Sequence, residues 1–180
     1  GSCSKVSTPS EITSASGANK SILRQASASA SPQVVKLVPG LLASDVFSIK
    51  VWPSDRENSG LMLDKVGGIW QVRNKFGATA DLAMVERMLD DLKSLGGELR
   101  SESANLQKKF ETDESSALHI KLSGQGNKEI AHLYLGKDSD DNGFFVRSSG
   151  SDATYFSKDK NLCEHFGVKE RLPAELGLLT

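Results

Sequence analysis

Leu82, Val85, Met88, Leu89, Leu92 and Leu95 recur at steps of three and four, and no other pattern in the chain restricts its fold so strongly. At helical spacing these six side chains form one apolar stripe about 100° wide, and such a stripe needs a surface to cover it. Thr79 is expected to cap the helix, Asp81 to sit in its first turn where the dipole favours an anion, and Gly96-Gly97 to end it. Asp81, Glu86, Arg87, Asp90 and Lys93 fall largely off the stripe. The nearest cover lies just upstream. Val46-Phe47-Ser48-Ile49-Lys50-Val51-Trp52 is rich in β-branched and aromatic residues and stops at Pro53, which has no N–H for a ladder. Leu61-Met62-Leu63 leads to Gly67-Gly68, and Ile69-Trp70-Gln71-Val72 follows. A Gly-Gly pair between two apolar runs predicts a hairpin, because glycine reaches positive φ without a Cβ clash. The stretch reads as a three-strand meander whose apolar face is closed by the stripe, which is therefore core and not a partner site.

Strand signals return after the helix. Glu98-Leu99-Arg100-Ser101 is a short strand candidate, and Ala104 to Phe110 a short helix. Leu118, Ile120 and Leu122 alternate with His119, Lys121 and Ser123, and beyond Gly124-Gln125-Gly126-Asn127 the residues Ala131, Leu133 and Leu135 alternate with Ile130, His132 and Tyr134. A loop of two or four residues centred on Gln125-Gly126 sets Ile120 against Ala131, Leu118 against Leu133, and His119 directly opposite His132 on a solvated outer face. A last hairpin runs from Gly143-Phe144-Phe145-Val146-Arg147, through a turn at Ser149 to Asp152, into Ala153-Thr154-Tyr155-Phe156. Apolar residues on both of its faces predict a central or doubly covered position. Residues 161–180 read as a short helix and an irregular end whose Leu176-Gly177-Leu178-Leu179 wants a neighbour.

The fold class read from these patterns is α+β: an antiparallel β-meander and hairpins packed on one long amphipathic helix, plus short helices. With 180 residues, 38% hydrophobic and 25% charged, the chain suits a single soluble domain that buries around 70% of its unfolded surface without a metal or disulfide staple. The 22 basic and 23 acidic residues are spread along the chain, for a net charge of −1. Such a balance offers no basic face to displace counterions, which argues against a nucleic-acid or anionic-membrane partner.

Local catalytic signatures are absent. There is no Gly-x-Ser-x-Gly elbow, no phosphate-binding Gly-rich loop, no paired-Cys zinc spacing and no His-Glu-x-x-His, and none of the three histidines has an evident Ser or Cys partner. His119 and His132 across a strand pair lack the third ligand that a catalytic zinc needs. Asp138-Ser139-Asp140-Asp141-Asn142-Gly143 matches the first half of an EF-hand loop, so Asp138, Asp140 and Asn142 are the candidate metal ligands. The twelfth place, which should carry a bidentate Glu, is Ser149, and Asp, Asn and Gly also suit a tight hairpin turn. No metal and no cofactor is expected, and the chain reads as a binding module and not an enzyme. Glycosidase-type carboxylates leave no local signature, so an envelope glycan hydrolase stays as the alternative, with a calcium-dependent module behind it.

Residues 1–33 are dominated by Ser, Ala, Thr and Gly with few large apolar side chains, a composition expected of a flexible tether to the single domain at 34–180. Cys3 stands ahead of Ser4-Lys5 and this polar spacer, as a lipid-accepting cysteine does at the mature start of a bacterial lipoprotein. Cys163, beside Leu162, reads as a small buried apolar side chain, with a Cys3–Cys163 disulfide as the lesser alternative. The expected location is periplasmic or cell-surface, with the membrane reached only through a lipid on Cys3.

Leu37-Val38-Pro39-Gly40-Leu41 ahead of Asp45 to Val51, Gly68-Ile69-Trp70-Gln71-Val72, and Ala80-Asp81 opening the helix are followed by Leu135-Gly136-Lys137, Phe145-Val146-Arg147 with Gly150, and Tyr155-Phe156. In these motifs the chain resembles the bacterial domain-of-unknown-function family 4340 over about residues 34–180. The resemblance implies an α+β domain of the bacterial envelope, often tethered by a transmembrane helix or a lipid, some members being encoded beside auxiliary parts of gliding-motility-type transporters. The motifs are structural and carry no catalytic set. The function expected is a non-catalytic binding or scaffold module with an envelope protein partner, using exposed sheet edges or a face near His119, His132 and Tyr134.

Overall fold

The computed structural model describes residues 32–73 and 76–159. Expectations for the 1–33 tether below Pro32, for Cys3 and Cys163, and for the helix and apolar end at 161–180 lie outside the described residues. Ten strands form one sheet: β1 (Val34–Lys36), β2 (Ser48–Pro53), β3 (Leu61–Val66), β4 (Ile69–Val72), β5 (Ala78–Thr79), β6 (Gly96–Ser101), β7 (Leu118–Ser123), β8 (Glu129–Ser139), β9 (Gly143–Ser148) and β10 (Thr154–Ser157). Their order is β1-β6-β10-β9-β8-β7-β2-β3-β4-β5, and every neighbouring pair is antiparallel. Among the described residues, helix is confined to α1 (Leu82–Ser94), the four-residue α2 (Gln107–Phe110) and single 3-10 turns.

This corrects the expected fold class. The domain is mostly β, one continuous antiparallel sheet, rather than an α+β assembly of separate strand groups organised by a long helix. The reason is a pairing between residues far apart in sequence. β2 gives one edge to β3 and the other to β7, with Ile49 opposite Leu122 and Val51 opposite Ile120, which fuses the meander to the later hairpins. β6 in turn joins β10 to β1.

The short helix forces the sheet to bend. α1 links β5 to β6, which stand eight places apart in the sheet order. Flat, eight spacings of roughly 4.8 Å would separate them by about 38 Å, whereas thirteen helical residues reach about 20 Å. The sheet therefore curls round α1. Val85, Met88, Leu89 and Leu92 enter one core cluster with Ile49, Leu63, Val72, Ile120, Leu133 and Val146 from the sheet's inner face. Leu82 departs from the expected stripe and is 53% exposed, because it opens the helix before the inward face begins at Val85. The cap is also corrected. Thr79 belongs to β5, and Asp81 is the N-cap, its Oδ1 accepting from the Ala83 N–H at 3.0 Å. Gly96-Gly97 do not end the helix in a left-handed turn. They start β6, where a Cβ would stand 2.7 Å from Val34 Cγ1 or Tyr155 Cβ.

The outer face of the sheet has two halves. Over β8, β9 and β10 it is covered by α2 and the following residues 111–117, here called the strap. Phe110 packs on Phe145 at 4.5 Å between ring centres, the Thr112 and Thr154 hydroxyls lie 3.1 Å apart, and Arg147 Nε donates to the Thr112 carbonyl at 2.9 Å. β9 and β10 are thus interior strands covered on both faces. Over β2, β3 and β7 the outer face is open, and there the chain leaves a cleft.

Candidate functional site

Alternation along β2 sends Ile49 and Val51 to the core and Ser48, Lys50 and Trp52 outward, with Ser54 just beyond the strand. The same alternation on β7 and β8 brings His119, Lys121 and His132 to the outer face, and together these residues wall a half-open cleft of about 500 Å³. That volume lies within the range of small-ligand sites. Sequence spacing puts His119 opposite His132; the register corrects this. His119 faces Tyr134 and Lys121 faces His132, because a five-residue loop and a bulge after Leu122 shift the pairing by two residues. A shift of two keeps each side chain on its own face. The histidines still meet on the diagonal, His119 Nδ1 lying 3.1 Å from His132 Nε2.

His119 is not the solvated side chain expected; it is 4% exposed. Trp52 stacks on it at 4.7 Å and 14°, Tyr134 meets its edge at 4.8 Å, and the Arg147 guanidinium lies 4.2 Å from the Tyr134 ring centre. Beyond Trp52 the Lys50 ammonium sits 4.6 Å from the indole and binds Glu57 Oε1 at 2.7 Å. A row of cation and ring contacts thus runs across β9, β8, β7 and β2.

The tautomers follow from the partners. His119 Nε2 lies 2.9 Å from the Glu114 carbonyl, and a carbonyl only accepts, so Nε2 carries hydrogen. Nδ1 then accepts from His132 Nε2–H. Ser54 Oγ lies 2.8 Å from His119 Nε2 and shares its hydrogen, while the serine hydroxyl donates to the Glu114 or Ala117 carbonyl, both at 2.7 Å. Burial holds His119 below the usual histidine range, with the Glu114 carbonyl and the Glu114 and Glu57 carboxylates pulling the other way and Arg147 adding to the depression. Burial, followed by the neighbouring His119, likewise depresses His132. Both rings are thereby favoured in their neutral form.

Ser54 is the partner that the sequence did not reveal, and Trp52, Lys50 and Glu57 were equally unmarked. One signal was available: a tryptophan on the polar phase of a β2 otherwise apolar on its inner phase. The candidate metal ligands lie elsewhere. Asp138 stands one residue before the end of β8, opposite Phe144, and Asp140 and Asn142 belong to the tight turn into β9, with Asn142 at φ 59°. Partial burial raises the Asp138 carboxyl above its usual range, which disfavours the charged form a cation needs. Among the described residues no three His, Cys, Asp or Glu side chains converge as a metal site, and no helix there is long and apolar enough to cross a membrane.

A profile of the family described as Domain of unknown function (DUF4340) matches residues 70–161, just over half of the chain. The chain belongs to the DUF4340 family. The matched span is shorter than the 34–180 of the resemblance. It takes in β4 to β10, and so supplies His119, Lys121, His132 and the strap, while the DUF4340 match leaves out β2 with Lys50, Trp52 and Ser54. Neither a curated protein nor a solved structure matches the chain.

Proposed function

We propose that this domain is a non-catalytic binding module of the bacterial cell envelope, held there by a lipid on Cys3, that receives its ligand or partner in the outer-face cleft and serves a transporter-type assembly. The observation that carries the binding reading is the commitment of both His119 nitrogens. Nε2–H is directed at the Glu114 carbonyl and Nδ1 accepts from His132, so the ring has no lone pair to take a proton from a nucleophile. The cleft is instead a shaped polar wall braced by its own hydrogen bonds. The envelope location rests on the family resemblance and the position of Cys3 ahead of a polar spacer.

The Ser54–His119 contact of 2.8 Å favours a second reading, a hydrolase with Ser54 as nucleophile. That chemistry requires His119 Nε2 without hydrogen, facing the Glu114 carbonyl at 2.9 Å, an arrangement of two acceptors. One experiment separates the two. The full chain, bearing a C-terminal tag, is used to capture partners from solubilised envelope, alongside Lys121→Glu and Ser54→Ala variants. Capture lost in Lys121→Glu and retained in Ser54→Ala is the expected result; equal capture by all three, or ester or glycan hydrolysis abolished by Ser54→Ala, overturns it. Release of the Cys3→Ser protein from the membrane fraction tests the anchor, and unchanged sedimentation of that variant would remove it.

A further inference from the structure

Among the described residues, each Lys or Arg that lines the cleft already has a carboxylate. Lys50 is bound to Glu57 at 2.7 Å, Lys121 to Glu129 at 3.4 Å, and Arg73 to Asp64. A cleft built for a phosphate or a carboxylate ligand would leave positive charge uncompensated, and this one leaves none among those three. An extended peptide is also a poor match. Strand addition needs a free backbone edge, and under the cleft β2 is paired on both sides, as is β7. Peptide side chains that anchor in apolar pockets would find little here beyond Met62 and the edge of Trp52.

What the wall does offer is donors and acceptors side by side. The Lys50 ammonium and the Glu57 carboxylate are in contact next to the Trp52 indole, and the Ser48 and Ser123 side chains line the same cleft. A pair of neighbouring hydroxyls suits this arrangement, one oxygen accepting from the ammonium while the next O–H donates to the carboxylate. The Trp52 ring is buried against His119 and offers only its edge, which with Met62 gives a small apolar contact for the C–H groups of a sugar. Resting on the binding role proposed above, we infer that the cleft takes a neutral, hydroxyl-rich ligand, a segment of an oligosaccharide, read by the Lys50–Glu57 pair beside Trp52.

The test uses the sign of one substitution. Glu57 is a rim residue whose side chain is 60% exposed, so Glu57→Gln keeps shape and leaves the fold intact. The full chain and this variant are titrated calorimetrically with cellotetraose, tetra-N-acetylchitotetraose, inorganic phosphate and a neutral tetrapeptide, with melting curves to establish equal folding. A sugar is expected to bind saturably, and to bind about tenfold more weakly to Glu57→Gln, because a charged acceptor is lost. A phosphate ligand would respond oppositely, since removing the carboxylate frees Lys50. Phosphate or peptide binding without sugar binding overturns the ligand class and leaves the cleft's binding role standing. Sugar binding indifferent to Glu57→Gln overturns the assigned pair. Heat from none of the probes overturns the inference, and partner capture by the Lys121→Glu variant then decides the binding role on its own.

Discussion

At the scale of single residues the most consequential group is the His119–His132 pair. Three of its four ring nitrogens are committed: His119 Nε2 to the strap, and His119 Nδ1 and His132 Nε2 to each other. A first proton therefore enters at His132 Nδ1, and a second must go to His119 Nδ1, against the N–H of a cation 3.1 Å away. The groups facing the pair are Ser54 and Glu57 from the β2 side, Glu114 from the strap, Lys121 on β7, Glu129 and Tyr134 on β8, and Arg147 on β9. Burial depresses both histidines below the ordinary value of 6.5. The unfolded chain then binds more protons than the folded one in that window, so the stabilisation is complete above the unfolded value and is lost as pH falls through the depressed folded values. Urea midpoints measured from pH 8 to pH 5 should fall towards acid. His119→Gln should flatten that slope, because the amide still donates to Glu114 and accepts from His132 but does not titrate. An unchanged slope in the variant would place the acid sensitivity elsewhere.

Elements whose signal is local were legible in the residues. The Gly67-Gly68 turn has φ of 58° and 84°, as a tight hairpin between β3 and β4 requires, and the spacing of Val85, Met88, Leu89 and Leu92 marks the buried side of α1. The alternation of β7 and β8 gave the right faces and the wrong partners, since a bulge after Leu122 leaves no mark on composition. The edge strands β1 and β5 escaped notice because they are three and two residues long, too short for a period to show. The strap was invisible for another reason: its role rests on backbone carbonyls, those of Thr112, Glu114 and Ala117, which any residue supplies. Its seat on β8 depends on Gly136, where a Cβ would stand 2.2 Å from the Phe110 carbonyl oxygen and 2.8 Å from Thr112 Cγ2. Gly136→Ala must push α2 and the strap outward, at about 1–3 kcal/mol as for other overpacked sites. Because Glu114 travels with the strap, the His119 ring should become more accessible, read as faster diethyl pyrocarbonate modification of that ring. A variant as stable as the parent would show that the strap has another anchor.

For the whole molecule the decisive fact is that thirteen residues of helix join strands eight places apart in the sheet. Stripe and meander together suggested a helix organising a sheet; what neither contained was the β2–β7 pairing that makes the strands one surface and the helix a tie across its curl. A tie couples the two ends it joins. Leu92 is fully buried at the inner side of α1, and Leu92→Ala should cost about 2–5 kcal/mol through lost contact and residual cavity. If α1 were simply a cover, the loss would stay within it, and amide exchange would quicken in the helix alone. As a tie, its loosening should release β4 and β6 together, although the sheet order sets them seven places apart. Native-state hydrogen exchange on the full chain distinguishes these outcomes: parallel acceleration in β4 and β6, with β7 and β8 at the middle of the order slowest to follow, is the result that a sheet bent round its own connection requires.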